Sequence, residues 1–94
     1  MEVELIEIRP ILSNGPIKAF VDIKLGDLVI HEFRIIKRDG QRLQIQPPIA
    51  SWRGRDGIIR YRSLFSAPAE LMQRIEVTIL SAWEKELKDG KSAR

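Results

Sequence analysis

The sequence predicts an α+β fold, an antiparallel β-sheet of about four to five strands followed by a C-terminal amphipathic helix. Two observations carry this expectation. Residues 17–25 place an apolar side chain at every odd position, which is the period of a half-buried strand. Leu71, Ile75, Ile79, Trp83 and Leu87 recur every fourth residue, and Met72 and Leu80 widen the stripe into one buried helix face. Strands first and a helix last put the helix on one side of the sheet, without the alternation of a parallel βαβ fold.

The elements follow in order. The first nine residues read as a strand whose inward parity slips between Leu5 and Ile6, the mark of a β-bulge. Asn14-Gly15-Pro16 separates it from the run 17–25, where every even position is polar except Phe20. Gly26-Asp27 supplies a tight turn, and residues 28–37 resume with Val, Ile, Phe and Ile, so the two runs form a hairpin. Asp39-Gly40 is a second turn, after which residues 42–46 alternate again as a strand. Pro47-Pro48 ends that pattern, because proline cannot donate to a ladder. Residues 47–57 read as a basic loop with little apolar content beyond Trp52, and residues 58–63 as a short strand.

The helix is expected over residues 66–90. Ser66 is its N-cap, Pro68 lies in the first turn, Glu70–Arg74 and Glu84–Lys88 form i,i+4 pairs, and Gly90 closes it. Ile75-Glu76-Val77-Thr78-Ile79 alternates like a strand, but the longer helical stripe outweighs it. Residues 91–94 form a frayed tail. The chain is one domain, 1–94, of which residues 1–65 make the β portion.

Ninety-four residues bury roughly two-thirds of their unfolded surface, a real core but a small one. Phe20, Ile36 and Ile6 stand on the parity opposite their neighbours' main apolar set, so both sheet faces are partly apolar and a homodimer is expected. There is no cysteine, hence no disulfide, thiolate nucleophile or zinc knuckle. No apolar run approaches the ~20 residues of a membrane span, and the acidic start is unlike a signal peptide. A soluble, cytoplasmic protein with no membrane partner is expected.

Charge is segregated. Residues 34–62 carry eight bases against two acids, a net of +6, and seven of the eight are arginine. Residues 1–33 carry a net of −3, and from residue 63 onward five bases meet five acids. Arginine's planar fork binds phosphate oxygens two at a time and stacks on bases, so a polyanion is the first partner to expect. Within Trp52-Arg53-Gly54-Arg55, two arginines on a glycine-permitted loop suit phosphate contact. Trp52 either stacks on an unpaired base or anchors the loop to the sheet. Arg60 and Arg62 share a strand face, extending the cationic surface or guarding a strand edge. Lys37, Arg38 and Arg42 flank the Asp39-Gly40 turn, where basic residues also serve solubility.

Nothing points to catalysis. His31 is the only histidine and lies inside a strand, no serine has a base in recognisable context, and the carboxylates lack metal-loop spacing. No glycine signature for cradling phosphate is present, so no cofactor, metal or small-molecule substrate is expected.

Lys18-Ala19-Phe20-Val21-Asp22-Ile23, then Val29-Ile30-His31-Glu32-Phe33-Arg34-Ile35-Ile36, then Asp39-Gly40 and Leu43 resemble the stage V sporulation protein G (septation protein) family of bacteria. Ile75, Ile79, Leu80 and Trp83 fall where that family has Ile, Val, Leu and Tyr, so the resemblance spans residues 17–87. It implies a homodimeric α+β protein that binds DNA and RNA and regulates gene expression. In the family a basic pair before Thr-Pro-Asp-Gly is implicated in nucleic-acid contact. Pro48 and Asp56-Gly57 match that region; the adjacent pair is replaced by Arg53 and Arg55 around a glycine, and Trp52 is added. The family's His-Pro before the helix is absent, with Ser66-Ala67-Pro68 in its neighbourhood. A protein-interaction module using the sheet edge or helix is the alternative.

Overall fold

The structure is a computed structural model that describes residues 2–12 and 14–88. Seven elements run in the order β1 (Val3–Pro10), β2 (Ile17–Leu25), β3 (Leu28–Ile36), β4 (Gln44–Gln46), β5 (Ile49–Arg53), β6 (Ile59–Ser63) and α1 (Ala69–Lys88). The central hairpin is β2–β3, paired antiparallel from Leu25 opposite Leu28. Gly26 makes its turn at φ 57°, a value glycine adopts without steric cost. β1 adds to β2 and β4 to β3, giving a sheet of order β1-β2-β3-β4, while β5 and β6 form a second, two-stranded sheet. The fold is α+β with antiparallel strands before one helix, as expected, but the strands divide into two sheets.

Alternation fixes the core. Ala19, Val21, Ile23 and Leu25 from β2, with Phe33 and Ile35 from β3, face Ile75, Ile79 and Trp83 of α1, and each is 6% exposed or less. Burying a side chain of this size contributes about 1.5–3 kcal/mol. Phe65 meets Phe33 edge to face, centroids 5.4 Å apart, and fastens the approach to α1 against this core.

The ladder is interrupted where the sequence parity slips. Leu5 opposes Ile23 and Glu7 opposes Asp22, so Ile6 is the extra residue of the expected bulge. A second bulge leaves no mark in the sequence. Between Val21↔Phe33 and Ile23↔Ile30, β3 carries one residue more than β2, and Glu32 there has φ 72°. Such a φ is uncommon outside glycine, and the Glu32 N–H is held in place by donating to the Asp22 carboxylate.

Several boundaries differ from expectation. Residues 47–57 are not one loop, since Ile49–Arg53 is a strand; both faces of β5–β6 lie outside the core, so burial imposes no alternation on them. β4 begins at Gln44 instead of residue 42, because Lys37 Nζ binds the carbonyls of Arg38 and Gln41 and closes a turn there. The helix begins at Ala69, and the Pro68 carbonyl accepts its first bond from Met72 N–H at 2.9 Å. Pro68, not Ser66, is therefore the N-cap, and proline keeps Ala67 extended so that the helix cannot start earlier. Among the described residues, Glu70–Arg74 and Glu84–Lys88 do not close to ion pairs. Gly90 and the 91–94 tail lie outside the described residues.

The sheet face away from α1 is not bare. Arg9, Phe20, Arg34 and Gln46 form one cross-strand row on it. Ile36 is buried, and Ile49 and Tyr61 of the second sheet flank it, so part of the burial on this face comes from the chain itself. Ile6, by contrast, is exposed.

Candidate nucleic-acid interface

β5 and β6 pair Ala50 with Arg62, Ser51 with Tyr61, Trp52 with Arg60 and Arg53 with Ile59. Cross-strand partners share a face, so Trp52, Arg60 and Arg62 stand on one side of this hairpin, and Arg53 with Tyr61 on the other. Arg55 sits in the connecting turn. The structure thus groups three of the five candidate residues and separates Arg53 from them.

The turn is closed by Gly57 N–H to the Gly54 carbonyl at 3.0 Å and by Gly54 N–H to the Ile58 carbonyl at 2.9 Å. Gly57 takes φ 82°, which an L side chain would strain. Asp56 accepts the Ile58 N–H at 3.0 Å and receives Arg60 bidentately, at 3.2 and 2.7 Å. The Arg60 hydrogen bonds, then that of Ile58, hold the Asp56 carboxyl below its usual range. Arg53 donates to the Gly57 carbonyl at 3.3 Å, whereas Arg55 and Arg62 have no hydrogen bond or ion pair among the described residues. Trp52 is 47% exposed, so about half of its surface is open to a partner and half is packed.

Sequence reasoning missed the one buried charged residue among those described, Asp22, which is 5% exposed. It stands opposite the second bulge and receives Arg9 at 2.7 and 3.0 Å, His31 Nδ1 at 3.1 Å and the Glu32 N–H at 3.1 Å. The Arg9 hydrogen bonds outweigh burial and push the Asp22 carboxyl well below the usual carboxylate range, with His31 and the Glu32 N–H adding to them. The same contact raises the Arg9 guanidinium. His31 therefore pins a bulge, and among the described residues no hydroxyl lies in hydrogen-bond contact with its ring. No residue type in isolation announces this cluster, since Arg9, Asp22 and His31 meet only after the strands pair. Among the described residues no group of His, Cys, Asp or Glu stands arranged to hold a metal ion, and no helix is long and apolar enough to cross a membrane.

No family model, curated protein or solved structure matches the chain.

Proposed function

We propose that the protein is a nucleic-acid-binding regulator, a cytoplasmic homodimer acting on DNA and RNA in the manner that its resemblance to the stage V sporulation protein G family implies. The observation that carries this reading is the β5–β6 hairpin. It carries Arg53, Arg55, Arg60 and Arg62 against a single acid, Asp56, with the half-exposed Trp52 on the face of Arg60 and Arg62. Arginine forks on a projecting hairpin suit phosphate oxygens, and an exposed indole offers a stacking surface for an unpaired base.

The test is an anisotropy titration of generic single- and double-stranded DNA and RNA across salt. Phosphate contact makes log affinity fall linearly with log salt, by about 0.7–0.9 units for each phosphate neutralised. Changing Arg53 and Arg55 to Ala flattens that slope by about one unit for each phosphate no longer held, and weakens all sequences alike. A flat salt response, or equal low-salt affinity in the double variant, overturns the assignment.

One observation favours a second reading. Ile58, Ile59 and Leu64 are 56%, 49% and 61% exposed on or beside the same hairpin. Exposed apolar side chains at both ends of one strand suit a protein partner, and a protein-interaction module would bind with little dependence on salt.

A further inference from the structure

Between the sheet face that α1 leaves uncovered and the β5–β6 hairpin lies a cleft of about 460 Å³. Arg34, Arg38 and Arg62 line it with Tyr61, Gln46 and Ile36, and none of its lining residues is acidic. Arg34 Nε is buried there with no hydrogen-bond partner among the described residues, while its guanidinium carbon lies 5.6 Å from the centre of the Phe20 ring. Arg62 has no polar partner among the described residues, and Arg38 reaches only Gln44 Oε1, at 3.4 Å. Three arginines line one cleft that no acid lines, so the charge complement of the space is an anion.

We propose that this cleft holds one nucleotide unit, its phosphate on Arg34 and Arg38 and its base against Tyr61, with Arg62 across the edge of β6 meeting the neighbouring phosphate of the strand. The site rests on the nucleic-acid reading and moves its centre from the hairpin tip to the space beneath it. Tyr61 is 67% exposed, so its ring is free to stack. The volume falls in the range that takes a small ligand, and stacking on an aromatic ring requires an unpaired base. A single strand is therefore the form accommodated, in preference to a duplex. A free nucleoside monophosphate carries the same chemistry and is separated from a strand by the test.

The experiment measures binding of a labelled oligothymidylate of about ten nucleotides, and of thymidine monophosphate by NMR, to the full chain at low salt. Arg38→Ala with Arg62→Ala changes two exposed side chains and is expected to weaken strand binding about a hundredfold, roughly tenfold for each charged group removed. Its melting temperature should stay near wild type. Arg34→Lys keeps the charge but loses the fork, and should weaken the strand several-fold. Monophosphate should shift the resonances of Tyr61 and the Arg34 Nε–H. If the double cleft variant binds the strand like wild type while Arg53→Ala with Arg55→Ala loses it, the cleft assignment is overturned and the nucleic-acid reading stands. If wild type binds the monophosphate through the cleft arginines but no strand, the site stands and the nucleic-acid reading falls. Binding of neither ligand overturns both.

Discussion

Trp83 and Asp22 show how differently single residues report themselves. Trp83 continues the apolar stripe of α1, and it is buried in the same core cluster as Val21 and Ile23 of β2. Trp83→Ala should cost about 3–5 kcal/mol, read as a lowered midpoint in urea denaturation. A loss below about 1 kcal/mol would contradict the packing of α1 against the sheet. Asp22 reads in the sequence like any polar residue on the wet face of a strand, because its partners come from two other strands. Asp22→Asn keeps an acceptor for the Glu32 N–H but removes the ion pair with Arg9, and should cost about 1.5–3 kcal/mol at neutral pH. The pH dependence has a definite sign. A carboxyl whose native pKa is depressed contributes stability that is complete above its unfolded value, roughly 4, and drains away as pH falls toward the native value. The stability gap between wild type and Asp22→Asn should therefore be level near neutrality and shrink below about pH 4. A gap unchanged down to the acid limit would mean that the Asp22 carboxyl titrates alike in the folded and unfolded chains, so that the ion pair adds no stability.

Elements are legible in proportion to how unequally their two faces are buried. β2 has one face in the core and Phe20 on the other, so its alternation is plain, and even the bulge at Ile6 shows as a slip of parity. β5 has neither face in the core, and its sequence carries no period at all. The helix stripe holds from Leu71 to Trp83, whereas Leu87, expected on the buried face, is 52% exposed. The helix start is not legible either, since Ser66 resembles a cap and only the conformation imposed by Pro68 moves the boundary. The arginine cleft is illegible for a further reason: Arg34 and Arg62 belong to different sheets, and only the fold brings them to one space. Within the hairpin, the Asp56 clamp on Arg60 competes with any phosphate. Asp56→Asn removes the acid and frees the guanidinium, so nucleic-acid affinity at low salt should rise several-fold. The slope of log affinity against log salt should steepen by up to about one unit. Unchanged affinity in an anisotropy titration would show that Arg60 serves the turn alone.

For the whole molecule, the β5–β6 hairpin carries both the densest arginine surface and exposed apolar side chains. The acidic first third contributes β1 and most of the central hairpin, while the basic middle contributes the end of β3, β4 and the projecting β5–β6 sheet. That second sheet has only two strands, which in isolation are marginal in water, and it leaves the outer edges of both strands unpaired among the described residues. Ile58, Ile59 and Leu64 remain exposed beside those edges. A second copy that extends the ladder or covers these side chains would satisfy the edge and the apolar surface together, and it would place two sets of arginines on one assembly. The expected outcome is a mass near twice 10.8 kDa by light scattering at micromolar concentration. Ile59→Asp with Leu64→Asp should convert the protein to monomer, because a buried unpaired charge at an interface costs several kcal/mol. The far-UV circular dichroism should be retained, since neither residue belongs to the core between α1 and the four-stranded sheet. If both arginine sets engage one strand, the monomeric variant should also show about half the salt slope of wild type. A wild-type mass near 10.8 kDa would rule out the dimer, and the exposed apolar hairpin would then belong to a different partner protein.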